Sequence, residues 1–163
     1  MKSRALFLDR DGVINKEINY LYRIEDFIFI DGVFELCKKY QNINYKLFVI
    51  TNQAGIARGF YSEVDYKKLT NWMINEFLKK GINLTEVYHC PHHPEITGEC
   101  SCRKPNPGMI KQAEHEYNLD LSGSILIGDK MSDIEAGKNA GIGLNILITQ
   151  NNIPAELFSA HLL

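Results

Sequence analysis

Leu6-Phe7-Leu8-Asp9-Arg10-Asp11-Gly12-Val13-Ile14-Asn15 is an apolar run that stops at two carboxylates separated by a single residue. A strand alternates its side chains, so a chain that stays extended here points Asp9 and Asp11 one way and Arg10 the other, and Gly12 then lets it turn away. Two such carboxylates repel unless a cation or a shared proton relieves them, and hard oxygen ligands of this kind suit magnesium. Taken alone, the stretch reads first as a strand end carrying solvated acids. The rest of the chain separates the two readings.

Ala5-Leu6-Phe7-Leu8 is the short continuous apolar run that a parallel sheet buries on both faces, and Lys2 to Leu8 reads as the first strand. Tyr45 to Ile50 repeats the pattern and ends at Thr51-Asn52-Gln53; a third apolar segment surrounds Val87-Tyr88; Ser124 to Ile127 ends at Gly128-Asp129-Lys130; Leu144 to Ile148 makes a fifth. Helical spacing separates these runs. Asp31 is placed to cap a helix through Val33, Leu36, Cys37 and Tyr40, and Ser62 with Asp65 heads a longer one that Gly81 closes. Further helices are expected from Met109 to Tyr117, after Pro105-Asn106-Pro107-Gly108, and from Asp133 to Ala140. Strands alternating with helices in this way predict an α/β, doubly wound, mostly parallel sheet, whose ligands sit beyond the carboxyl ends of the strands. That places Asp9, Asp11, Thr51, Asn52 and Asp129 around one crevice.

The chain has 163 residues, which suits a single domain over 1–163, and its formal net charge of -2 gives no electrostatic footprint for nucleic acid. No apolar run approaches a signal peptide or a membrane span, so a cytoplasmic protein acting on small molecules, monomeric by default, is expected. Cys37 stands alone in a helical pattern and reads as core. The remaining cysteines, Cys90, Cys100 and Cys102, cluster with His89, His92 and His93. Three thiols and one imidazole complete a closed tetrahedral zinc shell, which is structural because no position stays open. His92 is the preferred imidazole, with His93 its nearest rival and His89 assigned to the strand. Such a zinc loop, spanning 89–105, would supply folding energy to a segment with almost no apolar anchor and would hold Arg103 and Lys104 over the crevice.

For a dianionic phosphate ligand these tips have a chemistry. Asp9 is placed to attack phosphorus, Asp11 to act as acid and then base, and Thr51 with a lysine, Lys104 or Lys130, to stabilise charge on the transferring group. Asp133 either caps its helix or supports the site.

Asp9 to Asn15, Thr51-Asn52-Gln53, Lys104 and Gly128 to Asp133 resemble the four motifs of the haloacid dehalogenase-like phosphatases. Phe29 to Gly32, Thr51 to Gly59, Cys90-Pro91-His92-His93-Pro94 and Cys102-Arg103-Lys104-Pro105 are similar to the zinc-bearing heptose bisphosphate phosphatase branch of that family, over nearly the whole chain to about Ile148. The resemblance implies a Rossmann-like domain without a large cap. It implies Asp9 as nucleophile and Asp11 as proton donor. Mg2+ would lie on Asp9, the Asp11 main-chain carbonyl and Asp129, and Zn2+ on Cys90, His92, Cys100 and Cys102. Thr51 and Lys104 would stabilise the phosphoryl group, while Asn19, Tyr20, Asn52, Gln53, Arg103 and Lys130 would contact a phosphorylated sugar. A histidinol-phosphate phosphatase carries the same motifs and is the nearest alternative; Arg58 and Arg103, able to serve a second phosphate, favour the sugar bisphosphate. A non-catalytic zinc-stabilised binding domain is the alternative from another class, and the presence of both Asp9 and Asp11 opposes it.

Overall fold

A computed structural model describes residues 1–159. Five strands form one parallel sheet in the order β3-β2-β1-β4-β5: β1 Ala5–Leu8, β2 Lys46–Asn52, β3 Leu84–Cys90, β4 Ile125–Gly128 and β5 Leu144–Leu147. The main helices are α1 Val33–Asn42, α2 Glu63–Lys79, α4 Gly108–Tyr117 and α5 Met131–Ala140, with two short ones, α3 Pro94–Thr97 and α6 Glu156–Ser159.

β1 is the axis of the molecule. It pairs with β2 on one side and β4 on the other, and all four of its residues are buried. Its side chains divide between two cores as strand alternation requires. Leu6 and Leu8 join Leu47, Val49, Ile125 and Ile127 beneath α1 and α2, while Ala5 and Phe7 join Phe48, Ile50 and Leu126 beneath α4 and α5. Phe7 stacks on Phe48 with ring centroids 5.3 Å apart. Complete burial of a Leu or Phe is worth about 1.5–3 kcal/mol, which fixes the strand and therefore the point at which Asp9 leaves it.

The chain runs outward from β1 to β2 and β3, then returns to the other side of β1 to add β4 and β5. The switch point thus lies between the carboxyl ends of β1 and β4, where such sheets bind ligands. Among the described residues no inserted segment is large enough to form a separate cap over it.

Several local expectations shift. The first strand begins at Ala5 rather than Lys2, with Ser3 making only an isolated bridge to Leu119. Asp31 does not cap α1; Gly32 occupies that position at φ 90, and a Cβ there would lie 2.7 Å from the Phe158 ring. The Ser62/Asp65 capping box of α2 is present, and Gly81 follows the C-cap Lys80 at φ 71. β3 continues through His89 and Cys90, paired with Thr51 and Asn52, so the loop proper starts at Pro91. The tail, unread in the sequence, contributes α6, whose Leu157 enters the core beside α1.

Candidate active site

The strand ends after Leu8, and Arg10 O then accepts the amides of Val13, Ile14 and Asn15, so residues 10–15 form a compact turn. Arg10 does not point away from the acids. It is buried to 1% exposure and folds back on Asp11, donating from Nε at 3.1 Å and Nη2 at 2.9 Å to Oδ1. Asn15 Nδ2 and Gln53 Nε2 also donate to Asp11, at 3.0 and 3.1 Å, so both of its oxygens are held by neutral or cationic donors. The turn also needs Gly12: it sits at φ 92, and a Cβ there would lie 2.2 Å from Asp129 Oδ2.

Asp9, 6% exposed, accepts from the Arg10 amide and from Lys104 Nζ, both at 2.9 Å through Oδ1. Lys104 arrives from a loop yet is itself only 4% exposed. Its ammonium also donates to Ile50 O at 2.9 Å and pairs with Asp133 Oδ1 at 2.6 Å. Burial opposes the Lys104 charge, but Asp9 and Asp133 outweigh it and raise the group to about 12. Burial, with further contributions from Asp133, Asp11 and Asp129, raises Asp9 well above the usual carboxylate range despite the opposing Lys104. Asp129 is raised for the same first reason.

Carboxylate oxygens of Asp9, Asp129 and Asp133 lie within 4.8 Å of one another. Asp133 is already committed, with Oδ1 on Lys104 and Oδ2 accepting the amides of Asp129 and Lys130. Asp129 Oδ1 is buried without a partner. An unpartnered oxygen beside a second buried carboxylate fits a hard divalent cation, and the Asp11 side chain, fully engaged elsewhere, stands apart from this cluster.

Asn52 and Gln53 line the cavity, but their amides are occupied by protein. Asn52 Oδ1 accepts the Lys104 amide at 3.0 Å while its Nδ2 donates to Lys104 O at 3.2 Å. Gln53 Nε2 donates to Thr51 Oγ1 at 2.8 Å as well as to Asp11, and Gln53 Oε1 accepts from Tyr61 OH. Thr51, wholly buried, therefore keeps its own hydroxyl proton to donate.

A cavity of about 480 Å3 opens above these groups, within the range of small-molecule sites. Asn19, Tyr20, Arg103 and Lys130, the sequence candidates for substrate contact, line it, as does Arg58, the candidate for a second phosphate. So do Glu17, His93 and Ser132. Burial and then the Asp11 charge raise Glu17 to about 7. Nothing in the sequence pattern marks Glu17. Asp133, in contrast, sits at the third position of α5, the spacing of a capping box acid.

The second cluster gathers Cys90, His92, Cys100 and Cys102. Cys90 Sγ lies 3.6 Å from Cys100 Sγ and 3.5 Å from His92 Nδ1, and Cys102 Sγ is 3.5 Å from Cys100 Sγ and 3.3 Å from His92 Nδ1. Zinc–sulfur bonds of about 2.3 Å in a tetrahedron put the ligand atoms roughly 3.7 Å apart, so this cluster could hold a zinc ion with one adjustment, an opening of the Cys90–Cys102 edge, where the sulfurs are 2.8 Å apart. The rival imidazoles are elsewhere. His89 meets Glu63 at 2.9 Å and stacks on Tyr66, and His93 Nδ1 accepts the Glu95 amide at the start of α3.

A parallel sheet whose β1 and β4 tips bring Asp9 and Asp129 together, with a lysine buried between Asp9 and Asp133 and, among the described residues, no large cap, defines a haloacid dehalogenase-like phosphatase. Residues 101–157 match the HAD-hydrolase-like family model. The chain is 51% identical over 158 residues to the D-glycero-alpha-D-manno-heptose-1,7-bisphosphate 7-phosphatase of Campylobacter jejuni, covering 97% of this chain and 90% of that one. It is 48% identical over 150 residues to the D-glycero-beta-D-manno-heptose-1,7-bisphosphate 7-phosphatase of Helicobacter pylori, covering 91% and 85%. The crystal structure of D,D-heptose 1,7-bisphosphate phosphatase from B. bronchiseptica, complexed with magnesium and phosphate, superposes with a TM-score of 0.80 at 28% identity, over 86% of this chain and 78% of that one. The chain belongs to the heptose 1,7-bisphosphate 7-phosphatase family of HAD-like hydrolases, and it is a phosphoric monoester hydrolase.

Proposed function

We propose that this protein removes the 7-phosphate of D-glycero-D-manno-heptose 1,7-bisphosphate, as a single phosphatase domain spanning 1–163 that acts in the cytoplasm as a monomer. The observation that carries the reading is the Lys104 ammonium, held between Asp9 and Asp133 beside the unpartnered Asp129 oxygen. A lysine buried among carboxylates is arranged to receive further negative charge only when a cation joins it.

In the proposed cycle Asp9 attacks phosphorus, forming an aspartyl phosphate as the bond to the sugar oxygen breaks, and Asp11, as general acid, gives a proton to that oxygen. Asp11, now a carboxylate, takes a proton from water as the water attacks the phosphoryl group, which releases phosphate and restores Asp9. Lys104 and the Thr51 hydroxyl donate to the phosphoryl oxygens. Arg10, Asn15 and Gln53 keep Asp11 aimed at the leaving oxygen rather than at Asp9. Magnesium, held by Asp9, Asp129 and the Asp11 carbonyl, would neutralise the carboxylates against the phosphate and polarise it. Zinc on Cys90, His92, Cys100 and Cys102 would brace the loop that carries Arg103 and Lys104. Asn19, Tyr20, Arg103 and Lys130 are the proposed contacts to the remainder of the substrate. For Asn52 and Gln53, whose amides are engaged with Lys104 and with Asp11 and Thr51, the role proposed is positioning.

The discriminating experiment compares kcat/KM for heptose 1,7-bisphosphate, in either anomer, with that for histidinol phosphate at saturating magnesium. A preference for the bisphosphate of about 100-fold or more is expected. A larger value for histidinol phosphate would overturn the sugar assignment, and turnover of neither would favour a binding domain.

A further inference from the structure

The cavity carries both signs of charge. Asp9, Asp11, Glu17 and Asp133 line it together with Lys104 and Lys130, and Arg58, Arg103 and His93, from the loops that follow β2 and β3, form its outer wall. Among the described residues neither Arg58 nor Arg103 has a carboxylate partner. The Arg103 guanidinium instead rests on His92 O at 3.4 Å, and an Arg58 terminal nitrogen lies 3.0 Å from His93 Nε2.

A neutral imidazole cannot accept at both nitrogens, so this contact and the Glu95 amide bond to Nδ1 exclude each other as simple hydrogen bonds, and we take the one built into the α3 cap. His93 Nδ1 accepts the Glu95 amide at 3.2 Å, and the loop is fixed around it because Thr97 Oγ1 both accepts from the His93 amide and donates to the His93 carbonyl. A neutral imidazole has one acceptor and one donor nitrogen. With Nδ1 accepting, the proton sits on Nε2, so Nε2–H faces the N–H groups of Arg58. Two donors at 3.0 Å do not bond to each other; a shared acceptor satisfies both.

We propose that Arg58 and the Nε2–H of His93 form an anion subsite that receives the second phosphate of the substrate, making His93 a specificity-determining residue. The inference rests on the sugar bisphosphate reading given above and identifies what on the outer wall recognises the group that is not hydrolysed. The α3 cap acts as the orienting device: it fixes the imidazole tautomer so that a donor faces the cavity. The adjacent His92, through the zinc cluster, fixes the loop from the other side.

The test uses substitutions that divide the two functions of the ring. His93→Asn keeps an acceptor near Nδ1 for the Glu95 amide but has no donor at the Nε2 position; His93→Gln keeps a donor there; Arg58→Gln removes the cationic half without altering a zinc ligand. Each is assayed on heptose 1,7-bisphosphate and on heptose 7-phosphate, with zinc content and melting temperature measured alongside. A hydrogen bond to a charged group implies that His93→Asn raises KM for the bisphosphate about 10- to 100-fold while kcat changes far less. The preference for bisphosphate over monophosphate falls by the same factor, Arg58→Gln behaves alike, and His93→Gln recovers most of the preference. Equal losses on both substrates, or an unchanged preference in His93→Asn and Arg58→Gln with zinc retained, would overturn the subsite while leaving the phosphatase assignment standing. A wild-type enzyme with no preference for the bisphosphate would instead overturn both the sugar reading and the subsite.

Discussion

The two ends of this active site are held in place by different physics. On the β1/β4 side, Asp9 and Asp129 directly follow strands with no solvent-exposed residue, so the sheet places them. On the loop side, no residue from Pro91 to Arg103 is buried, and the segment is shaped by the Cys90, His92, Cys100 and Cys102 cluster. Lys104 joins the two, coming from the loop and ending between Asp9 and Asp133 on the sheet side. A change on the sheet side should therefore remove chemistry and spare the fold, whereas a change on the loop side should loosen one cation and cost both order and rate.

The largest effect expected is that of Asp9→Asn, which removes the nucleophile and should lower kcat by about 10^4-fold or more, with an unchanged circular dichroism spectrum and zinc content. Retention of a tenth of the activity would mean that the β1 tip is not where phosphorus is attacked. Next comes Cys102→Ser, or chelation of zinc. We expect one equivalent of zinc to be lost by elemental analysis, a lower melting temperature and a drop in kcat/KM of about 10- to 100-fold. Full activity without zinc would show that the loop holds Lys104 unaided. Asn52→Ala separates the two regions more finely, since it removes both hydrogen bonds to the Lys104 backbone and leaves the zinc ligands intact. A loss of roughly tenfold in kcat with zinc still bound is expected.

How far the sequence was legible follows the same division. The β1/β4 side could be read because apolar runs ending in carboxylates have one meaning in a parallel sheet, and the metal-ligand spacing of Cys90, His92, Cys100 and Cys102 is equally direct. Arg10 could not be read: alternation along an extended strand sends it away from Asp11, but the chain leaves extended geometry after Leu8 and the guanidinium turns back. Asp31 resembles a cap, but Gly32 takes that position at φ 90, with the Phe158 ring too close to admit a Cβ. Asn52 and Gln53 were legible as residues of the site but not as its scaffolding, because their partners, Lys104 and Asp11, are 52 and 42 residues distant. Arg58 was legible as a candidate for a second phosphate, whereas Glu17 and His93 reach the cavity only through tertiary folding, and no local pattern announces them there.

The smallest effect concerns Glu17. Its carboxyl, raised to about 7 by burial and then by Asp11, keeps a proton in the folded protein that the unfolded chain has released above about pH 4.5. Its contribution to stability is complete below that pH and is lost as pH rises through about 7. Metal-free Glu17→Gln should therefore melt with the wild type near pH 4.5 and above it, by on the order of a degree or two, near pH 7.5. Equal melting temperatures at both pH values would show that Glu17 ionises freely.

The most direct test of the central claim is phosphorus NMR of the purified enzyme with heptose 1,7-bisphosphate and magnesium, followed to completion beside Asp9→Asn. The wild type should convert the 7-phosphate signal to inorganic phosphate and leave the 1-phosphate signal intact, and Asp9→Asn should change neither. Loss of the 1-phosphate signal, or release of phosphate by Asp9→Asn at the wild-type rate, would contradict it.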